Sequence, residues 1–256
     1  MFTGGAIIGL LGGLIGLGGA EFRLPLLIAI FGFVALEAVI LNKAMSLIVV
    51  ASALLFRSAT VPFDAVFSHF SIVLTLLLGS VVGAWLGADL ATRLSTRVLH
   101  RVIALLLLAI TVAVMLMLTH GQSAPVHSLL SGVAQTAAGI VAGFVIGVVA
   151  ALLGVAGGEL LIPTLILLFG VEIKLAGSLS LAVSLPTMLV AFARYSRDRS
   201  FDVLRSHPRF VVIMAAGSIV GALLGGLLLG FVSGSVLLPL LALILVVSAV
   251  KLWRHD

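Results

Sequence analysis

The chain has 256 residues, of which 62% are hydrophobic and 9% charged, and its formal net charge is +5. A soluble domain carries about 25% charged residues, so this composition excludes a water-solvated fold and points to lipid as the solvent. Cysteine is absent, which excludes disulfides and thiolate metal sites. The positive charge is scattered over loops, which fits membrane topology better than nucleic-acid binding.

Lipid tolerates only helices or closed barrels, because unpaired backbone groups are costly there. The apolar runs are long and do not alternate, so the expected fold is an all-α polytopic membrane protein. In chain order, an apolar segment over 5–19 enters a glycine-rich break, and a short helix follows over 25–31. Three longer spans come next, at about 38–57, 68–90 and 98–118. A linker over 119–128 holds Gly121, Ser123 and Pro125. The order then repeats: an apolar segment over 139–157, a short helix over 163–169, and spans at about 174–195, 209–230 and 235–253.

The repetition is one of residues as well as of pattern. Gly16, Gly19, Glu21 and Pro25 recur 138 positions later as Gly154, Gly157, Glu159 and Pro163, and Gly79, Gly83 and Gly87 recur as Gly217, Gly221 and Gly225. Asp64 and His69 recur as Asp202 and His207. Internal repeats of this kind define two halves, 1–118 and 129–256. Basic residues give their orientation. Arg194, Arg197, Arg199, Arg205 and Arg209 crowd one loop of the second half, whereas its counterpart holds Arg57 and Asp64. The next loop reverses the bias, with Arg93, Arg97 and Arg101 in the first half. Equivalent loops are therefore expected on opposite sides, which makes the halves inverted repeats. Each has a broken or re-entrant helix pair plus three long spans, and both termini are cytoplasmic.

The breaks are the chemical centre. Glycine serves where backbone leaves helical geometry or approaches something closely, and Pro25 and Pro163 are expected at the first position of each short helix. Helix N-termini and free amides would then point inward, an arrangement that favours an anion. Two such breaks related by a pseudo-two-fold form a transporter-type site. Gly18, Gly19, Ala20, Gly157 and Gly158 are the candidate backbone contacts. Glu21 and Glu159, carboxylates inside apolar segments, mark a site for a coupling proton or sodium ion. The alternative is that each hydrogen-bonds the amides of its own break. Arg23, whose counterpart is Leu161, pairs with a glutamate or holds a substrate oxyanion. Asn42 and Ser46 share a helical face, and Lys43 beside them either faces substrate or snorkels to the interface. Ser178, Ser180 and Ser184 are their second-half counterparts, on a helix that Pro186 should kink.

Outside the breaks, the glycine stripes at 79, 83, 87 and 217, 221, 225 are either an internal helix contact or a homodimer face. Asp64 and Asp202 read as helix caps, and His69 and His207 as interfacial or gating groups. No H-E-x-x-H or G-x-S-x-G stretch occurs, so nothing marks catalysis, a metal site or a cofactor.

In these residues the chain resembles the sulfite exporter TauE/SafE family of bacterial membrane permeases. The family's duplicated G-x-G-G-G-x4-P cluster appears as Gly16, Gly18, Gly19, Ala20 and Pro25, and again as Gly154, Ala156, Gly157, Gly158 and Pro163. Its T-N-K-x-x-S segment appears as Leu41, Asn42, Lys43 and Ser46, and its G-T-S-L segment as Gly177, Ser178, Leu179, Ser180 and Leu181. One alanine stands for glycine in each cluster, Leu41 replaces threonine, and the two glutamates lie outside the general pattern. The resemblance implies an inner-membrane permease exporting sulfite, a sulfonate or a related small organic anion, surrounded by lipid and without cofactor. A passive channel, a membrane scaffold and an intramembrane enzyme are the alternatives.

Overall fold

The structure is a computed structural model that describes residues 1–16, 19–95, 98, 101, 105, 131–232 and 236; the side chains of residues 21, 22, 25 and 29 are outside that description. Among the described residues all regular structure is helical. The helices are α1 (Phe2–Ile15), α2 (Ala20–Ala29), α3 (Ala35–Arg57), α4 (Phe63–Ser68) and α5 (Phe70–Arg93), then α6 (Gly132–Leu153), α7 (Gly158–Phe169) and α8 (Ile173–Tyr195). A 3-10 turn over Arg199–Asp202 leads to α9 (Val203–Ser206) and α10 (Pro208–Leu228). Helices α3, α5, α6, α8 and α10 are long and apolar enough to cross a membrane. The expected linker and the expected last span of each half lie outside the described residues.

Both glycine clusters do interrupt helices. Helix α1 stops at Gly16 (φ 92°) and α2 starts after Gly19 (φ 64°); α6 stops at Gly154 (φ 67°) and α7 starts after Gly157 (φ 85°). A side chain would be strained at each of these positive φ values, so the four glycines set where the breaks fall. The short helices begin earlier than expected. Pro25 and Pro163 stand five residues inside α2 and α7, not at their first positions. The breaks end at Gly19 and Gly157, where backbone can reverse, so each helix restarts there. The prolines cost it one amide donor further along.

The chain doubles back at each break. A Cβ on Gly19 would lie 2.6 Å from Ile8, and one on Gly157 would lie 3.1 Å from Ile146. Further along α7, the Gln135 side chain donates to the Leu168 carbonyl at 2.7 Å, near the start of α6. Helices α6 and α7 thus form an antiparallel hairpin. At 12 residues α7 is about 18 Å long, shorter than a bilayer core of about 30 Å.

The glycine stripes bind the molecule together by exchange. Gly217, Gly221 and Gly225 of α10 receive the backbone of Phe2, Ala6 and Leu10 of α1, while Gly5, Gly9 and Gly13 of α1 receive Met214, Ser218 and Ala222 of α10. The same interlock joins α5 to α6: Gly79, Gly83 and Gly87 meet Ile140, Phe144 and Val148, and Gly143 and Gly147 meet Leu76 and Ser80. Residues 138 apart occupy corresponding places in the two interlocks. The stripes are occupied inside the chain, which resolves the choice between internal contact and dimer face for this surface.

Helices α3 and α8, whose residues correspond at the same offset, run antiparallel between these two pairs. Arg57 at the end of α3 donates to the Lys174 carbonyl and to Ser178 at the start of α8. Lys43 early in α3 and Tyr195 at the end of α8 both reach the last turn of α6.

Two expectations on the connecting segments are corrected. Neither Asp64 nor Asp202 caps a helix with its side chain; Asp198 does so instead, accepting from the Ser200 amide at 2.8 Å.

Candidate functional site

A helix that stops inside a protein leaves its last carbonyls without amide donors. Here side chains from α3 and α8 add donors, at the second break beside the Val155 and Gly154 amides that reach the Ala150 and Ala151 carbonyls. At the end of α1, one Arg57 nitrogen donates to the Gly13 and Leu14 carbonyls, both at 2.9 Å, and the Ser180 hydroxyl donates to the Gly16 carbonyl at 2.8 Å. At the end of α6, the Lys43 ammonium donates to the Ala150 carbonyl at 2.9 Å and to the Val155 carbonyl at 2.6 Å. The Tyr195 hydroxyl donates to the Ala151 carbonyl at 2.7 Å and Ser184 to the Ala156 carbonyl at 2.7 Å. Cations at helix C-termini also meet the negative end of the macrodipole.

Asn42 brings the breaks together. Its side-chain amide donates to the Ala20 carbonyl, just past the first break, at 3.0 Å and to the Leu153 carbonyl, just before the second, at 3.4 Å. Arg23 lies against the other side of Asn42: one guanidinium nitrogen donates to the Asn42 backbone and side-chain oxygens at 3.3 and 3.4 Å and to Ser46 at 3.2 Å. The fit is close at both tips. A Cβ on Gly16 would lie 2.6 Å from the Gly177 backbone, and a Cβ on Gly154 would overlap the backbone of Val39. Val39 and Gly177 are again 138 apart.

The charges in this region are buried. Arg23 is 0% exposed and Lys43, Arg57 and Glu159 are each 1% exposed. The Lys43 ammonium does not run out to an interface; its acceptors are carbonyls of the second break. The acceptors of Arg57 are likewise neutral oxygens. Glu159 occupies the second position of α7, and neither carboxylate oxygen hydrogen-bonds any described group. Capping of its own break is therefore not its role in this conformation. No side chain caps the N terminus of α2 or α7.

Of the residues singled out in the sequence, Gly19, Ala20, Arg23, Asn42 and Ser46 gather at the first break. Lys43, Gly157, Gly158, Glu159 and Ser184 gather at the second, and Ser178 and Ser180 lie between Arg57 and Gly16. Gly18 and the Glu21 side chain lie outside the described residues. Sequence reasoning missed Arg57 and Tyr195. Their equal offset from Gly13 and Ala151 was the available signal, but a terminal arginine reads as an interfacial anchor. It also missed the ionic cluster where α5 meets α8. There Asp89 accepts from Arg194 and pairs with Arg93 at 2.7 Å, and the Arg197 guanidinium lies 5.3 Å from the centre of the Trp85 ring. His69 bonds locally with Ser68 and the Ala65 carbonyl, and His207 packs edge-on against Phe33.

No curated protein and no solved structure matches the chain at a significant level. The model of one family, described as the sulfite exporter TauE/SafE family, matches residues 1–114 and 137–256. With nearly the whole length covered, and with paired helix breaks that side chains of α3 and α8 cap and Asn42 joins, the chain belongs to the sulfite exporter TauE/SafE family and is a membrane transporter.

Proposed function

We propose that this transporter is a permease that exports a small anion, namely sulfite, a sulfonate or a related organic anion, by alternating access between two inverted halves. The observation that carries the reading is the cluster of buried cations at the two breaks. Lys43 and Arg57 are held there by neutral oxygens, and Arg23 lies against Asn42, which spans both breaks. Such a region attracts an anion, and the uncapped N-termini of α2 and α7 add amide donors. Export of an anion from a negative interior is downhill by about 2.3 kcal/mol per charge per 100 mV, and coupling to a proton or sodium ion through Glu21 and Glu159 allows accumulation against a gradient. The anion contacts in this reading are the backbone at Gly18, Gly19, Ala20, Gly157 and Gly158, and the side chains of Arg23, Asn42, Lys43, Ser46, Ser178, Ser180 and Ser184.

The antiparallel course of α3 and α8 supports inverted halves with boundaries at 1–118 and 129–256. Asp89 joins Arg93 to Arg194, so the two arginine-rich loops share one end of the bundle. That supports placing this end in the cytoplasm of a bacterial inner membrane, with both termini on the same side. A homodimer would use a face other than the glycine stripes. Reconstitution tests the reading: vesicles holding the protein should show saturable counterflow of sulfite or a sulfonate. Unsaturable flux would point to a channel, and absence of flux to a scaffold.

A further inference from the structure

We infer that the end of the bundle where α5 meets α8 binds the phosphate headgroup of an anionic phospholipid, held by Arg93 and Arg197 beside Trp85. The inference needs only a protein that spans a membrane and stands apart from the permease reading.

Trp85, Asp89 and Arg93 follow one another at intervals of four residues in α5, so they share one face of that helix. The end of α8 lies against this face. Arg194 donates through Nε to the Asp89 carboxylate at 3.0 Å, and the Arg197 guanidinium stands over the Trp85 ring, 5.3 Å from its centre. The Arg93 Nε pairs with the other Asp89 oxygen at 2.7 Å. Three guanidinium groups therefore share this seam with the Asp89 carboxylate. Asp198, next to Arg197 in the chain, has its carboxylate turned to the Ser200 amide at 2.8 Å. The seam keeps an excess of positive charge, and it lies at the surface. The Arg93 side chain is 74% exposed. Arg197 is exposed and takes part in no ion pair among the described residues.

The surroundings select the source of the anion. Val82, Leu86 and Leu90 precede Arg93 on α5 and are exposed, so in a membrane they face acyl chains. Trp85 is exposed beside them, and tryptophan favours the depth of the headgroups. A phosphodiester carries one negative charge on two unbridged oxygens, which match the planar fork of a guanidinium. The ring beneath Arg197 holds that fork in place without neutralising it. A phospholipid thus sets its chains against the leucines and its phosphate against the arginines.

Helix packing alone does not demand these residues. At an offset of 138, Trp85, Asp89 and Arg93 correspond to Leu223, Leu227 and Phe231, and Arg194 and Arg197 correspond to Phe56 and Ala59. Phe56 still lies against α10 there, at Gly226, so the equivalent contact is made with apolar side chains. A general excess of arginine in one set of loops is met by charge anywhere in them. It requires neither a tryptophan under one guanidinium nor a carboxylate shared by two others on the same seam.

Tryptophan fluorescence of the full-length protein reads the site. Trp253→Phe leaves Trp85 as the single tryptophan, and this protein is reconstituted into phosphatidylcholine vesicles. Part of the lipid is then replaced by phosphatidylcholine or phosphatidylglycerol with brominated chains, which quench tryptophan on contact. The ratio of the two quenching constants measures preference for the anionic headgroup, and it should favour phosphatidylglycerol. Arg93→Gln and Arg197→Gln should each lower the ratio by up to about fivefold. Arg205→Gln, which removes an exposed arginine from the same loop as Arg197, should leave it unchanged, as should inorganic phosphate in the buffer. Where one seam variant folds poorly, the other decides. Equal quenching by the two lipids, a ratio indifferent to both seam substitutions, or an equal fall in Arg205→Gln would overturn the inference. Competition by inorganic phosphate would overturn it too, by assigning the seam to a free anion.

Discussion

Arg57 and Tyr195, the last residues of α3 and α8, are 138 positions apart, and they donate to carbonyls of Gly13 and Ala151, which are also 138 positions apart. The same structural task, closing the end of a broken helix, is done in one half by a guanidinium and in the other by a phenol. Arg57 also serves Leu14, Lys174 and Ser178, so the two should differ in cost. Arg57→Ala should destabilise the protein by several kcal/mol, since it removes donors from three buried carbonyls at about 1–3 kcal/mol each. Tyr195→Phe should cost about 0.5–1.5 kcal/mol, the worth of one hydrogen bond, because the Ala151 carbonyl keeps the Gly154 amide. Thermal unfolding in detergent would rank them, and equal effects would show that the extra bonds of Arg57 contribute nothing.

The interlocked stripes give a second expectation. A methyl group on Gly83 or Gly221 would overlap the backbone of Phe144 or Ala6, so Gly83→Ala and Gly221→Ala should each cost at least about 1–3 kcal/mol through separation of the helices. Gly4 has open space around it, and Gly4→Ala should leave the unfolding temperature unchanged. Similar behaviour of all three would remove the stripes from the account of stability.

The Asp89–Arg194 pair has apolar counterparts, Leu227 and Phe56, at the other end of the bundle. Asp89→Asn alone should lower the unfolding temperature, because Arg194 loses its charged acceptor. Asp89→Leu combined with Arg194→Phe, which copies the other end, should recover much of that loss, since an apolar pair commonly substitutes for an ion pair. A double-mutant cycle in unfolding free energy would measure the coupling, and additive losses would contradict it.

Sidedness can be tested because the chain has no cysteine of its own. Ala59→Cys and Ser196→Cys place exposed thiols after α3 and α8. A membrane-impermeant maleimide added to intact cells should label Ala59→Cys and leave Ser196→Cys unmodified until the membrane is opened. Labelling of both from outside would refute the inverted arrangement.

The breaks, the spans and the offset of 138 were legible in the sequence because glycine, proline and long apolar runs act locally. The prolines misled for a physical reason: Pro163 fits a first helical turn by its own preference, but positive φ at Gly157 decides where the helix restarts. The partners of the glycine stripes and the roles of Lys43, Arg57 and Tyr195 were not legible. A carbonyl left open by a broken helix has no signature in the residue that bears it. The donor that closes it comes from a helix distant in sequence, as Lys43 does for Val155. Glu159 was visible as a carboxylate in the wrong place, but its lack of a hydrogen bond to any described residue belongs to the packed state alone.

Because α1 interlocks with α10, α1 must wait during synthesis for nearly the last of the described helices before its glycine face is covered. A contact between residues 9 and 218 is about as non-local as this chain permits, and such topologies fold slowly. Until α10 is made, the glycine face of α1 has only lipid or the insertion machinery against it, so that face is packed late. Neither half can complete its bundle alone, and an interruption of synthesis before residue 208 would leave a membrane protein without its closing strap.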